Sequence, residues 1–439
     1  MIDTKTAIEK ITNGEFDNLF TDIYIDSSMI DYQKKRYVHA IEQYETIYCP
    51  DKVAIFSAPG RSEVCGNHTD HQHGMVLATS INLDTIAVSA KNNNDVVRFV
   101  SDGYDMITLN INDLEVNNDE AGTTVSLIRG VLRGLKDHGY KIGGFNAYAT
   151  SDVLVGAGLS SSAAFEVVVG TIISGLYNDM KINSVEIAQI SQYAENVFFK
   201  KPCGLMDQMA CSVGGMVNID FKDPTKPIVK KVPTEFEKYD YSLCIVDTKG
   251  DHVDLTDDYA MIPSEMKKVA NFLGEDYLRD CDSNEFYIHL GEIREAVGDR
   301  PVLRAIHFFN GRTSLPGVMR KNFFGASSMK SPRSIHRFLL KVMVCVPSAS
   351  FSGLLIASIS SLVVVLRRGG LHPDRSRKAG SWHRDHPGAE RGYRHRQIQR
   401  ISGRVHHLRP GQEVQRLHPL PHYHVPREEP PEAEAGGRR

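Results

Sequence analysis

The sequence predicts an α+β fold, in which strands and helices are mixed irregularly along one chain of 439 residues. Apolar runs of strand length and helical patterns follow each other without the regular strand–helix repeat of a doubly wound sheet. A glycine-rich turn, residues 155–160, leads directly into an apolar helix near the middle of this pattern. A hydrophobic fraction of 41% and the chain length allow two or three domains with a sizeable core.

The expected elements follow each other from residue 32 onward. Apolar residues at helical spacing predict helices over 32–48, 123–138, 163–169, 184–199, 257–273 and 285–310. Short apolar or alternating runs predict strands over 53–57, 75–89, 95–100, 143–150, 216–220 and 241–247. Two segments rich in glycine or polar residues, 58–74 and 203–215, are expected to be loops, the second with a short helix.

The glycine-rich turn has the composition of a phosphate-binding segment. Gly156 and Gly158 would let the backbone approach a ligand closely, and Ser160, Ser161 and Ser162 stand where the helix should begin. A helix N-terminus offers free N–H groups and the positive end of the helix dipole, which suits an anion. No Gly-Lys-Ser/Thr follows, so this is not a Walker A loop, and a serine-capped helix without a ligand explains the same residues.

A polar segment, residues 58–74, concentrates Arg61, His68, Asp70, His71 and His73. The histidine spacing could indicate a metal, but no strong cysteine or glutamate complement accompanies it, so a zinc site is the weaker interpretation. Directed hydrogen bonds from carboxylate and imidazole groups suit the hydroxyls of a polyol. A solvated polar loop is the remaining alternative.

The cellular context follows from two simple features. The first 35 residues show no signal peptide, because polar and acidic residues interrupt every apolar run. Seven cysteines, an odd number without a CxxC pair, favour a reducing compartment over a disulfide framework. We therefore expect a cytoplasmic protein.

Three stretches together resemble the GHMP small-molecule kinases, and among them the galactokinases. They are APGRSEVCGNHTDHQHGMVL at 58–77, GAGLSSSAAFEV at 156–167 and CGLMDQMACSVGG at 203–215. Their order and spacing agree with the family, and the resemblance covers about residues 50–310. It implies a two-domain GHMP kinase fold, with an N-terminal domain like domain 2 of ribosomal protein S5 and an incomplete α+β C-terminal domain. The implied boundaries are a helical, galactose-binding lead-in at 1–50, the N-terminal domain at 51–220 and the C-terminal domain at 221–310.

The resemblance also implies an activity, the phosphorylation of galactose at its C1 hydroxyl by ATP with Mg²⁺. Asp207 would be the catalytic carboxylate, and Arg61 beside it would keep it ionised and face the transferred phosphoryl group. Ser162 and Glu195 match positions that hold Mg²⁺ in related kinases, although an ordinary exposed helix glutamate is the alternative for Glu195.

The resemblance assigns the two substrates to separate sets of residues. Those implied to bind galactose, besides Asp207, are Asn67, His68, Asp70 and Tyr259. Those implied to hold the phosphates of ATP are Gly156, Ala157, Gly158, Leu159, Ser160, Ser161 and Ser162. Asn67 stands where many galactokinases have a glutamate, which leaves the exact sugar open.

Other functions remain alternatives to galactose phosphorylation. The first is a GHMP kinase for another small substrate, such as N-acetylgalactosamine, mevalonate or homoserine. The second is a non-catalytic sugar sensor built on the same fold. We expect a monomer without nucleic-acid or membrane partners.

Residues 311–439 differ sharply from the rest of the chain. Residues 1–310 hold 28 basic and 46 acidic residues, a net charge of −18, whereas residues 311–439 hold 23 basic and 8 acidic residues, a net charge of +15. The third glycine-rich motif of the family is not identifiable there. A frameshift near residue 311 explains these changes together. A fused segment, a membrane span over 342–366 or a basic nucleic-acid arm are the alternatives.

Overall fold

The computed structural model describes residues 1–49, 52–233, 241–247, 256–322 and 361–367. For residues 241–247, 256–260, 312–322 and 361–367 it describes the backbone alone. These residues form a mixed sheet with helices on both faces, followed by a helical region, so the α+β prediction is confirmed.

The long strand β2, Met75–Lys91, is the centre of the sheet. Strand β1, Ala54–Cys65, runs antiparallel along one edge of β2. The other edge is shared by two antiparallel strands, β5 at Phe145–Ser151 and β6 at Met216–Asp220. Strand β2 follows the polar segment and pairs with both β5 and β6. The glycine-rich turn follows β5, and residues 203–215 precede β6.

Three shorter strands extend this sheet to the order β4-β3-β5-β2-β6-β7, with β1 on β2. Strand β3, Val96–Ser101, is parallel to β5, and β4, Ile107–Asn110, is antiparallel to β3. Strand β7, Ile228–Lys231, pairs antiparallel with β6. Strand β8, Tyr241–Asp247, pairs instead with β9, Ser361–Arg367, which lies in the compositionally distinct tail.

Alternating side chains of β2 face two different cores, as the period of a strand requires. Ala87 packs among helices α4, Thr124–Asp137, and α5, Ser161–Tyr177. Ile86 and Val88 point the other way, into a core formed by the N-terminal helices. These helices are α1, Thr4–Thr12, α2, Asp17–Tyr24, and α3, Ile30–Tyr48.

A buried ion pair fixes the N-terminal helices to the sheet. Arg36 of α3 contacts Asp84 of β2 at 2.6 Å (Nη1–Oδ1), and Tyr24 donates to the other oxygen of Asp84 at 2.9 Å. Arg36 also lies 3.1 Å from Asp152, which closely precedes the glycine-rich turn. The lead-in segment therefore positions the start of that turn.

The remaining helices lie after β5. Helix α6 spans Ser184–Tyr193 and α7 spans Met206–Val213. The helical region consists of α8, Thr256–Phe272, α9, Ser283–Ile288, α10, Leu290–Val297, and α11, Asp299–Asn322. Buried side chains such as Val269, Phe286 and Phe308 give α8–α11 a core of their own.

The structure corrects three expectations of the sequence analysis. Residues 58–65 belong to β1 rather than to a loop, and register shifts between Pro59 and Arg61 accommodate the polar residues. The expected helix over 285–310 is divided into α9, α10 and α11; α9 ends before His289, and Gly298, at φ 88°, ends α10. The expected helix over 184–199 changes after α6 into a π-helical turn, Ala194–Phe198.

No helix within the described ranges is long and apolar enough to cross a membrane. Of the apolar run over 342–366, only residues 361–366, in β9, are among those ranges.

Candidate active site

Arg61 and Asp207, 146 positions apart in the sequence, form the centre of the candidate site. Arg61 Nε donates to Asp207 Oδ1 at 2.7 Å and Nη2 to Oδ2 at 2.6 Å, a bidentate pair. Arg61 lies in β1 beside the register shift, and Asp207 lies in the first turn of α7. The third donor of the guanidinium, Nη1, bonds the carbonyl of Gly158 at 2.7 Å. The same side chain therefore connects the carboxylate to the glycine-rich turn.

The electrostatics of this pair keep Asp207 ionised. Burial alone raises the pKa of Asp207, but the charge and hydrogen bonds of Arg61 outweigh it, and His68 and Ser160 act in the same direction. The pKa of Asp207 therefore lies well below its usual range. Burial lowers the pKa of Arg61, but the charge of Asp207 raises it by more. The pKa of Arg61 therefore lies above its ordinary value, and both partners are charged.

The glycine-rich turn contains three left-handed residues at alternate positions. Gly156 has φ 75°, Gly158 has φ 71° and Ser160 has φ 58°. Alternation of right- and left-handed residues turns successive N–H groups toward one concave side, an arrangement that binds anions. A serine in this conformation is strained, and such strain is characteristic of functional sites. The hydroxyl of Ser160 bonds Asp207 Oδ2 instead of capping α5.

Ser162, two residues after Ser160, faces a different carboxylate. Its hydroxyl lies 3.2 Å from Glu195 Oε1. Glu195 is 2% exposed and belongs to the π-helical turn that follows α6. Gln208, the neighbour of Asp207 in α7, donates to the other oxygen, Glu195 Oε2, at 2.7 Å. The structure therefore brings Ser162 and Glu195 together, as the resemblance implies.

A second buried carboxyl lies behind this pair. Glu166 of α5 is fully buried, and Gln208 Nε2 reaches its Oε2 at 3.3 Å. Burial raises the pKa of Glu166 well above its ordinary value, and the charge of Glu195 adds to this effect. Glu166 Oε1 has no hydrogen-bond partner among the described residues. The raised pKa favours the neutral form of Glu166.

Asp70 of the polar segment contacts the backbone beside Asp207. Its Oδ2 accepts from the N–H of Met206 at 3.0 Å. A Cβ added to Gly204 would lie 1.8 Å from the same oxygen, so only glycine allows this approach. Asp70, which is 7% exposed, therefore lies at the N-terminal end of α7, next to Asp207.

The residues before Asp70 form a tightly wound loop. Gly66, Asn67 and His68 are all left-handed, with φ of 125°, 51° and 57°. The N–H of His68 donates to both oxygens of Glu63, at 3.2 and 3.0 Å, and this contact fixes the loop. Asn67 is exposed, and His68 is partly buried.

The rest of the polar segment packs against the helical region. Gln72 Nε2 donates to the carbonyl of Pro263 at 3.4 Å, and the ring of His73 stacks on Tyr277 with centroids 3.7 Å apart. Burial lowers the pKa of His71 to about 4, against the opposing charge of Asp70. His71 is therefore neutral near pH 7. The backbone of Tyr259 lies in α8, and its side chain lies outside the described part of the structure.

No group of three or more histidine, cysteine, aspartate or glutamate side chains within the described ranges could hold a metal ion. The histidines of the polar segment, which those ranges include, do not come together in such a group. Ser162 and Glu195 together still fit Mg²⁺, because Mg²⁺ prefers oxygen ligands and usually takes one or two carboxylates together with substrate phosphates.

Three residues of this site were not identified by the sequence analysis. Glu166 interrupts the apolar run AAFEVVVG, and a charge in a buried helix is the signal that could have indicated it. Gln208 directly follows Asp207, but nothing in the sequence shows which way its amide points. Lys201, whose Nζ lies 3.1 Å from Glu195 Oε1, resembles any surface lysine in the sequence.

Comparisons with known proteins identify the family of this chain. The family described as GHMP kinases N terminal domain matches residues 126–215, and the galactokinase galactose-binding signature matches residues 42–91. A galactokinase of Streptomyces coelicolor is 30% identical over 270 residues, which cover 60% of this chain and 67% of that protein. A galactokinase of Pyrococcus furiosus is 37% identical over 173 residues, 39% of this chain and 47% of that protein.

The matched regions thus span about half to two thirds of these curated relatives. Among solved structures, Lactococcus lactis galactokinase complexed with galactose is similar, with a TM-score of 0.59 and 21% identity. The similarity covers 69% of this chain and 76% of that structure, and it supports the fold alone.

Proposed function

Because this chain belongs to the galactokinase family of GHMP kinases, we propose that it transfers the γ-phosphoryl group of ATP to the C1 hydroxyl of galactose. The bidentate Arg61–Asp207 pair, joined to the glycine-rich turn through Gly158 and Ser160, is the observation that carries this proposal. It combines an ionised carboxylate, a fixed positive charge and an anion-binding turn at one place. Phosphoryl transfer needs such positioning and charge stabilisation more than covalent chemistry.

Asp207 orients the sugar hydroxyl and accepts its proton in this proposal. Its lowered pKa makes Asp207 a weak base, whereas the most effective general base has a pKa near the working pH. A loose phosphoryl-transfer transition state has little bond formation to the attacking oxygen, so the hydroxyl proton can leave late. A weak but permanently ionised base is sufficient for that step.

Arg61 acts on both sides of the transfer. Its hydrogen bonds to Asp207 keep the carboxylate ionised and oriented, and its bond to Gly158 holds the turn against β1. A guanidinium keeps its charge at every working pH and presents donors in a fixed plane. It therefore faces the developing negative charge without having to move.

The glycine-rich turn binds the phosphates of ATP in this proposal. The N–H groups between Gly156 and Ser162 supply the donors, and the dipole of α5 favours their negative charge. Ser162 and Glu195 would hold Mg²⁺, which neutralises charge on the phosphates when bound. Glu195 Oε2 is fixed by Gln208, so Oε1 faces Ser162.

The polar segment binds the sugar in this proposal. Asp70 lies beside Asp207, and His68 is near enough for its charge to lower the pKa of Asp207. They offer a carboxylate and an imidazole for directed hydrogen bonds to hydroxyls. Asn67 and Tyr259 remain proposed sugar contacts on the resemblance alone. We infer a cytoplasmic monomer that binds neither nucleic acid nor membranes.

A direct assay on the full chain tests the proposal. Purified protein is incubated with MgATP and a panel of galactose, N-acetylgalactosamine, mevalonate and homoserine, and ADP release is measured. We expect turnover with galactose and a sugar 1-phosphate by nuclear magnetic resonance. A non-sugar as the best substrate would exclude galactose phosphorylation, and binding of galactose and ATP without turnover would favour a sensor.

Residues 311–439 are proposed to be sequence read out of frame. The reversal of net charge at this point and the missing third motif support this proposal. Resequencing the coding DNA around codon 311 tests it. A continuation of the family motifs in another frame is expected, and its absence from both other frames would contradict the proposal.

A further inference from the structure

The two oxygens of Glu195 have different partners. Oε2 accepts from the amide of Gln208, which is itself fully buried and fixed in α7. Oε1 accepts from the hydroxyl of Ser162 at 3.2 Å and from the ammonium of Lys201 at 3.1 Å. The oxygen that faces the proposed metal position is therefore the one that a cationic side chain of this chain contacts.

The backbone directs Lys201 back onto Glu195. The π-helical turn Ala194–Phe198 ends the helical run, and Lys200 then takes a left-handed conformation with φ 67°. The N–H of Lys201 donates to the carbonyl of Glu195 at 3.1 Å, which closes the turn. The lysine side chain consequently starts beside the carboxylate and reaches it from the solvent side.

The charge of Glu195 requires a partner at this depth. The carboxylate is nearly inaccessible, and an uncompensated buried charge is strongly destabilising. Across the described residues, Lys201 is its one ion-pair partner. The lysine side chain is 51% exposed, whereas that of Glu195 is 3% exposed. The cation can therefore leave for solvent without breaking buried packing, and the carboxylate cannot.

We propose that Lys201 is an exchangeable counter-cation, which neutralises Glu195 in the metal-free protein and competes with the divalent cation for Glu195 Oε1. This inference rests on the proposed function, because it concerns the metal that accompanies ATP there. Both cations need the same oxygen, so each lowers the apparent affinity of the site for the other. Lysine suits such exchange because it is a point charge on a flexible stem.

An ordinary structural salt bridge would behave differently. If Lys201 only supported the fold of the π-helical turn, its loss would leave metal binding unchanged or weaken it by disturbing Glu195. If Lys201 competes with the metal, its loss makes metal binding tighter while it destabilises the metal-free protein. The sign of the change in affinity therefore separates the two roles.

The experiment compares Lys201→Met with the matched control Lys200→Met in the full chain. Lys200 is the exposed neighbouring lysine. Binding of Mn²⁺ is measured by electron paramagnetic resonance with a non-hydrolysable ATP analogue kept below the protein concentration. We expect about three- to tenfold tighter Mn²⁺ binding for Lys201→Met, the range between an exposed and a partly buried ion pair. We expect no change for Lys200→Met.

A second readout uses thermal unfolding of the metal-free protein. Lys201→Met should lower the Tm in the native background and much less in a Glu195→Gln background, since the charge to be neutralised is then gone. Unchanged or weaker Mn²⁺ binding by Lys201→Met would overturn this inference and leave the proposed function standing. No Mn²⁺ binding by the unsubstituted chain would overturn both. Tighter Mn²⁺ binding in a chain that phosphorylates no sugar would support this inference and contradict the function.

Discussion

On the two sides of the glycine-rich turn, the negative charge of a carboxylate is compensated by two different kinds of cation. On one side, Asp207 is paired with Arg61, a guanidinium in β1 that makes two hydrogen bonds to the carboxylate and one to the turn. On the other side, Glu195 is paired with Lys201, a half-exposed side chain in a loop. Ser160 contacts the first carboxylate and the nearby Ser162 the second.

The difference matches what each side is proposed to do. A carboxylate that must stay ionised during the reaction needs a cation that cannot leave, and a bidentate arginine on a strand provides it. A carboxylate that must accept a metal needs a cation that can be replaced. The two acids, Asp207 partly buried and Glu195 fully buried, thus differ in proposed role through the rigidity of their partners. Variants that change one side alone test this comparison.

The largest expected effect is on catalysis by Asp207→Asn. The amide keeps the size of the side chain but cannot accept the proton, so kcat should fall by about 10²–10⁴-fold. Steady-state assays with galactose and MgATP measure it, and Asp223→Asn, at an exposed loop position, is the control. A variant with near-native kcat would show that the Arg61 side does not carry the chemistry.

Arg61→Met should have the next largest effect, and it should be seen in stability as well as activity. Removing the cation of a partly buried pair leaves Asp207 uncompensated, so the loss of unfolding free energy should lie between the roughly 0–1 kcal/mol of a surface pair and the roughly 3–5 kcal/mol of a fully buried one. The cost should shrink as the pH falls, because the pKa of Asp207, no longer held down by Arg61, rises and the acid can protonate.

Urea denaturation between pH 4 and pH 8 measures that free energy. Arg133→Met, in an exposed pair with Asp137, is the control and should change stability little. Equal losses from both variants would mean that the Arg61–Asp207 pair contributes no more than a surface pair.

Much of this arrangement can be predicted from the sequence. Strands β2, β5 and β6 follow from apolar runs, and the pairing of Arg61 with Asp207 follows from the resemblance of three motifs. The resemblance implies a helical lead-in, but the individual helices α1 and α2 were not predicted from periodicity, because each buries only a few side chains. Strand β1 was cut short because polar residues in its second half resemble a loop.

The side-chain directions could not be predicted, because they depend on backbone details. Ser160 reaches Asp207 because it is left-handed, a conformation that its sequence does not require. Lys201 reaches Glu195 because a π-helical turn replaces a regular helix end. The sequence shows which residues are present on each side of the turn. The local backbone conformation determines which carboxylate each side chain contacts.

The two serines provide a smaller and more selective test. Ser160→Ala removes a hydrogen bond to a charged carboxylate, worth about 1.5–3 kcal/mol, so kcat should fall roughly ten- to hundredfold. Ser162→Ala should instead raise the Mg²⁺ concentration needed for half-maximal rate. Ser160→Gly removes the same hydroxyl and relieves the left-handed strain, so it controls for the backbone. Identical profiles for the two alanine variants would contradict separate roles.

The smallest expected effect concerns Glu166, the acid behind Glu195 that forms no ion pair within the described part of the chain. Burial, with the charge of Glu195, raises the pKa of Glu166 in the folded state above the unfolded value near 4.3. Below that pH the acid is protonated in both states. As the pH rises, only the unfolded chain ionises, so this group progressively favours unfolding. Glutamine has the same shape and cannot ionise.

Glu166→Gln should therefore raise the Tm at pH 8, with a gain that fades toward pH 4. Thermal melts across this range measure it, and Glu9→Gln on the exposed face of α1 should change neither end of the profile. A variant that is less stable at pH 8 than at pH 4, relative to the unsubstituted chain, would mean that Glu166 is ionised and paired. Lys201 would then neutralise two carboxylates rather than one. The proposed difference between the Arg61–Asp207 and Lys201–Glu195 pairs would not hold in its present form.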